Sequence, residues 1–134
     1  MTLHYDEPHC KIYFLEEENA VFLDWQGFAL SSKFREACDF SLNLLEEKHA
    51  SKMVVDNTKG KAVAPEDQKW LNEDWFKRAF DKGYRASAVV MSKDVFNNVA
   101  VKNIVNNVDG EKFTINMFDN LHEAKSWIKN FKSE

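Results

Sequence analysis

The spacing of apolar residues along this chain changes period several times, and no other feature constrains the fold as much. From position 10 to 15, Cys10, Ile12 and Phe14 alternate with Lys11, Tyr13 and Leu15; from 20 to 25, Val21, Leu23 and Trp25 alternate with Ala20, Phe22 and Asp24. Successive strand side chains point to opposite faces, so a period of two predicts two strands. The polar stretch 16–19 joins them as an antiparallel hairpin that ends at Gly27. From Ser31 the period becomes helical: Phe34, Ala37, Cys38, Ser41 and Leu45 share one face of a helix that ends near His49, with Ser31 or Ser32 as its N-cap. Met53-Val54-Val55 is then a short continuous apolar run, the pattern of a strand covered on both faces.

The second half repeats the alternation. Pro65 suits the first position of a helix, and Glu66 and Asp67 suit its electropositive first turn. That helix carries Leu71, Trp75 and Ala79 on one line and Trp70, Phe76 and Phe80 beside it, and Gly83 ends it as a left-handed cap. Residues 86–91 predict a second interior strand. A helix starting near Asp94 or Asn97 comes next, with Val101, Ile104, Val105 and Val108 on it. After a turn at Asp109-Gly110, Phe113, Ile115 and Met117 alternate with Thr114 and Asn116 as in a half-buried strand. Asn120 with Glu123 resembles a capping box, and Leu121, Ala124, Ile128 and Phe131, with Trp127 alongside, give the last helix its buried stripe. The predicted order is β-β-α-β-α-β-α-β-α. Its fold class is α/β, a single mixed sheet with an N-terminal antiparallel hairpin, then parallel strands joined by right-handed crossovers, with about four helices. Residues 1–9 are expected to form an N-terminal arm and 10–134 a single domain.

Composition narrows the classes of function. At 134 residues with 44% apolar side chains, the chain supplies a core without a disulfide or metal staple. The net charge is -4 and no basic run tracks a phosphate backbone, so nucleic acid is not the expected partner. The N-terminus lacks the pattern of a signal peptide and no window reaches a membrane span, so a cytoplasmic location is expected. Cys10 and Cys38 lack CxxC spacing and are expected as buried reduced thiols. His4, His9 and Cys10 match no common metal site, so no metal or cofactor is expected. Phosphate-loop, dinucleotide, zinc-protease and nucleophile-elbow motifs are all missing, which favours a non-enzyme. A small enzyme would have to use Asp24 or Asp56 as its base.

Two stretches are candidates for binding. Asp56, Asn57, Thr58, Lys59 and Lys61 leave the carboxyl end of an interior strand and precede a helix N-terminus, the edge where ligands collect in open α/β sheets. Trp70, Trp75, Phe76 and Phe80 crowd one helix with more apolar area than a single sheet contact uses. The surplus suits core packing, an apolar pocket or a homodimer face.

The layout and particular stretches resemble the SpoIIAA-like group of STAS domains, which is structurally close to lipid-binding SEC14 modules. The resemblance covers about residues 10–131. It rests on the hairpin closing with Leu23-Asp24-Trp25-Gln26-Gly27, on Met53-Val54-Val55-Asp56, and on Phe118-Asp119 followed by Glu123-Ala124-Lys125-Ser126-Trp127-Ile128. It implies a regulatory or binding module, expected as a homodimer, that acts on a regulatory protein partner or a small ligand; the SEC14 likeness implies a carrier of a lipid-like molecule instead. Antagonists of this family are switched by phosphorylation of a serine in an Asp-Ser-Ser-Gly motif at a helix start. Here the corresponding stretch is Lys61-Ala62-Val63-Ala64-Pro65-Glu66-Asp67, without a serine, and the nearest hydroxyl, Thr58, lies several residues earlier.

Overall fold

Alternating apolar patterns bury themselves when strands share one sheet and helices cover it, and the chain does this. The computed structural model describes residues 1–61, 63–93 and 95–132, with backbone alone at 95–97. Six strands, β1 (Thr2–Glu7), β2 (Cys10–Leu15), β3 (Ala20–Gly27), β4 (Lys52–Gly60), β5 (Ala86–Val90) and β6 (Thr114–Phe118), lie side by side in chain order. The pairs β1–β2 and β2–β3 are antiparallel, and the later pairs are parallel. The helices are α1 (Ser31–Glu47), α2 (65–81), α3 (Val95–Asn106) and α4 (Leu121–Asn130). The mixed sheet with four helices is the predicted fold class.

Crossovers of one hand between strands that follow chain order put every crossover helix on the same face. Phe34, Ala37 and Leu42 of α1, Leu71, Trp75 and Ala79 of α2 and Ile104 of α3 accordingly join Ile12, Val21, Leu23 and Met53 in one core. Only α4 covers the second face, setting Ala124 and Ile128 against Phe22, Val54, Ala88 and Val90.

Four expectations change. Residues 1–9 are not a free arm: Thr2–Glu7 is an edge strand, Tyr5 packs in the first core, and its hydroxyl meets Nε2 of the buried His9 at 2.8 Å. Helix α1 has Leu30 as its N-cap residue; Ser31 is already helical, and its Oγ donates instead to Asp67 Oδ2 at 2.9 Å. Strand β4 does not stop after Val55 but runs on to Gly60, because β3 continues beside it, pairing Gln26 with Lys59 and Gly27 with Gly60. The segment expected to be a loop is therefore largely strand. Helix α2 is not a uniform α-helix either. Between α-helical Pro65–Trp70 and Phe76–Asp81, the turn Leu71–Trp75 is a π-helix.

Val108 lies beyond α3, Phe131 beyond α4 and Phe113 just before β6, whereas the boundary signals at Pro65, Gly83 and Asn120 hold. Pro65 opens α2 with Glu66 and Asp67 in the first turn, Gly83 follows it at φ 102°, and Asn120 Oδ1 caps α4 by accepting from Glu123 N–H at 2.9 Å. The backbone of α3 starts at Val95, while the proposed start at Asp94 lies outside the described residues. Asn98 secures the turn before it: its side-chain amide donates to Ser92 O at 2.6 Å and its Oδ1 accepts from Ser92 N–H at 2.9 Å.

Candidate functional site

Where β3 and β4 run parallel, the register advances from Asp24 opposite Asp56 to Gln26 opposite Lys59, two residues on β3 against three on β4. Such a bulge holds one unpaired residue and re-aims the side chains around it. Asp56 Oδ1 fills the gap by accepting from Thr58 N–H at 2.9 Å and from Thr58 Oγ at 2.7 Å. Asp56 and Thr58 therefore satisfy each other. Asn57, on the opposite side of the strand from Asp56, lines a cavity.

That cavity, about 110 Å³, lies between the first face of the sheet and helices α1, α2 and α3. Leu23, Val55, Val89 and Ile115 line it from four neighbouring strands, Phe34 and Cys38 from α1, Leu71, Trp75 and Phe76 from α2, and Val101, Ile104 and Val105 from α3. The π turn explains why α2 leaves a void beside it. One extra residue in a turn widens the helix and shifts the facing of the residues after it, and Leu71 and Trp75, the first and last residues of that turn, are both in the cavity wall. A smaller cleft lined by Gly27, Gly60 and Lys61 at the carboxyl edge of the sheet shares Trp25, Phe34, Asn57 and Val63 with the cavity.

Among the described residues the cavity wall carries no ionisable carboxylate, lysine, arginine or histidine. Burial pushes the Cys38 thiol and the Tyr84 hydroxyl in the wall upward, so both stay neutral near pH 7. Two polar atoms of the lining side chains are orphaned: Trp75 Nε1, on a residue 6% exposed, and Ser87 Oγ, on a residue 1% exposed. Ser87 Oγ lies beside the Tyr84 hydroxyl without completing a well-formed hydrogen bond. Buried polar groups are nearly always paired, so these two are exceptions in the packing around the cavity.

The sequence-derived candidates therefore divide. Asn57, Trp75 and Phe76 line the cavity, and Lys61 lines the cleft that shares Asn57 with it. Lys59 is exposed at the end of β4, and Trp70 instead meets two guanidinium groups, with Arg35 5.1 Å and Arg78 5.7 Å from its ring centre. Sequence reasoning missed Tyr84 and Ser87. The one available signal was Ser87 itself, a hydroxyl inside an otherwise apolar strand run, and a polar residue in such a run is the informative exception.

The two carboxylates considered as bases lie elsewhere. Alternation along β3 puts Leu23 and Trp25 in the cavity wall and Asp24 on the other side, next to Asp56. Burial above all raises Asp24, Lys59 partly opposes that, and Asp56 adds to it. Asp24 Oδ1 has no hydrogen-bond partner among the described residues. No group of three or more His, Cys, Asp or Glu among the described residues is placed to hold a metal ion, and no described helix is long and apolar enough to cross a membrane.

Fold and site together define an α/β domain with an uncharged, partly open cavity between its sheet and three crossover helices. A scan against models of known protein families finds no match, and neither does a search of curated proteins.

Proposed function

We propose that this chain is a non-enzymatic, STAS-like binding module whose ligand is a small, mostly apolar molecule held in the cavity beneath α2. The observation that carries the reading is the cavity, walled by residues of four strands and three helices. Native interiors pack with few voids larger than a water molecule, so a void of about 110 Å³ is a departure to be explained by occupancy. The absence of charge from its described wall favours binding over acid–base chemistry.

Its size also limits the ligand. Pockets for drug-sized molecules measure roughly 300–1,000 Å³, and a carrier of acyl chains needs space of that order, whereas cavities of about 150 Å³ with aliphatic and aromatic walls take up benzene. A single ring suits this cavity better than a lipid. Of the four aromatic residues on α2, Trp75 is buried and Phe76 packs beside it, their rings 5.1 Å apart, which supports the cavity as the place where that part of the surplus is used.

Thermal unfolding with benzene provides the test. At ten times its Kd, benzene is expected to raise Tm by about 3–5 °C. Val101→Phe, which fills the cavity from α3, is expected to abolish the rise while the protein remains folded. A wild-type Tm that no single-ring compound moves would overturn the reading.

A further inference from the structure

We infer that the carboxyl edge of the sheet docks on an anionic phospholipid membrane, with Phe28 and Leu30 entering the bilayer interface and Lys59, Lys61 and Lys93 meeting lipid phosphates.

Three neighbouring parallel strands end at this edge, and each delivers one part of the surface. After β3, Gly27 turns the chain at φ 63°. The short connection to α1 then exposes Phe28 to 61% and Leu30 to 66%, more than any other described large apolar residue except Met1. Ala29 between them packs against the core, which leaves its two neighbours outside. β4 ends in Lys59 and Gly60, and the N–H of the next residue, Lys61, donates to Gly27 O at 2.9 Å, which fixes that lysine beside the Phe28 loop. After β5, Ser92 Oγ reaches Gly60 O at 3.5 Å and sets Lys93 at the same edge. Neighbouring strands lie about 4.8 Å apart, so the three strand ends span only about 10 Å.

Lys59, Lys61 and Lys93 are all exposed, and none forms an ion pair among the described residues. Of the carboxylates in the adjoining turns of α1 and α2, Glu36 pairs with Lys33 and Asp67 with Arg35, and Glu66 is the exposed exception. Asp94, next to Lys93 in sequence, lies outside the described residues. Bulky apolar side chains standing on a loop tip among lysines suit a lipid surface better than a protein groove. Protein interfaces are depleted in lysine. At a bilayer the ammonium groups stay hydrated among the headgroups while apolar side chains enter by about 5–10 Å. The net charge of -4 does not oppose this, because charges more than a Debye length away, about 10 Å at 0.1 M salt, are largely screened. The surface is separate from the cavity, which none of these five residues lines.

Sedimentation with sucrose-loaded vesicles tests the assignment, using phosphatidylcholine alone or with about 30 mol% phosphatidylglycerol. The protein is expected to pellet with the anionic vesicles and to stay in solution with phosphatidylcholine alone. It is expected to be released at about 0.5 M salt, where the Debye length falls to about 4 Å. Lys59→Gln, Lys61→Gln and Lys93→Gln are each expected to weaken partitioning about fivefold, and Phe28→Ser combined with Leu30→Ser at least about tenfold. All five side chains are exposed, so these variants are expected to melt with the wild type, which separates lost docking from lost folding.

A protein that stays out of the anionic pellet would overturn the assignment, as would binding that survives both sets of substitutions. Binding lost with the lysines but unchanged in the Phe28→Ser, Leu30→Ser variant would leave only charge attraction and overturn the apolar docking. Capture of the protein by soluble polyglutamate, with none on vesicles, would assign an acidic protein partner in place of the membrane. Each outcome leaves the cavity reading to its own test with benzene.

Discussion

Asp24 shows how one side chain links the sheet to pH. It lies on the second face of the sheet, its Oδ1 unpaired, with Asp56 on the neighbouring strand and burial raising it. A carboxyl held above its unfolded value binds its proton more tightly in the native state. Its favourable contribution is therefore present at low pH and lost as pH rises through the folded value. Asp24→Asn removes that penalty and is expected to raise Tm at pH 7 by about 1–2 °C, an amount reduced by the partial exposure of the group. The difference from wild type should close as pH falls below about 4, which a series of melts from pH 3 to pH 8 checks. Asp67 behaves differently, being 2% exposed and held by Ser31 Oγ and by Arg35 Nε, each at 2.9 Å. Asp67→Ala strands the guanidinium at the junction of α1 and α2 and is expected to cost about 3 kcal/mol, against about 1 kcal/mol for Ser31→Ala. Urea unfolding measures both, and equal losses would show that the arginine pair contributes nothing beyond the serine bond.

Among the elements, α2 matters most to the cavity. Its amphipathic stripe was legible because Leu71, Trp75 and Ala79 recur every four residues, and all three are buried. The π turn between Leu71 and Trp75 was not legible, since spacings of four suit an α-helix and a slightly widened one alike. Deleting Asn72 takes the extra residue out of that turn, so restored α-helical winding carries the residues after it round to nearly the facing they have now. Trp75 and Ala79 keep their sites, so a stability change within about 1 kcal/mol is expected, together with a narrowed cavity and loss of ring binding. Circular dichroism during urea unfolding measures the first, and the benzene shift in Tm measures the second. Strand β4 gives the parallel lesson: Asp56, Asn57, Thr58 and Lys59 are compositionally a loop, yet pairing with β3 extends the strand across them with one bulged residue.

For the whole molecule, crossover geometry decides where function is possible. Strands in chain order place α1, α2 and α3 on one face, and the cavity that all three line lies there. A cavity in that layer lowers stability through unmade contacts. Val101→Phe is therefore expected to keep stability within about 1 kcal/mol of wild type, the filled space offsetting the strain of the larger ring. Guanidinium unfolding checks this, and a loss of several kcal/mol would mean that the void cannot accept a phenyl group.

The periods of two and 3.6, Pro65, Gly83 and Asn120 by themselves determined the strand and helix order and the class of sheet, because each acts through neighbours a few residues away. They also pointed to Asn57, Trp75 and Phe76. Only the tertiary structure recruited residues 2–7 as an edge strand, extended β4 beyond Val55, and brought Ser87, Tyr84 and Trp75 to one cavity. Pairing and enclosure are relations between segments distant in sequence. Their free energy comes from the partner strand or the opposing helix, and local periodicity carries no record of that partner.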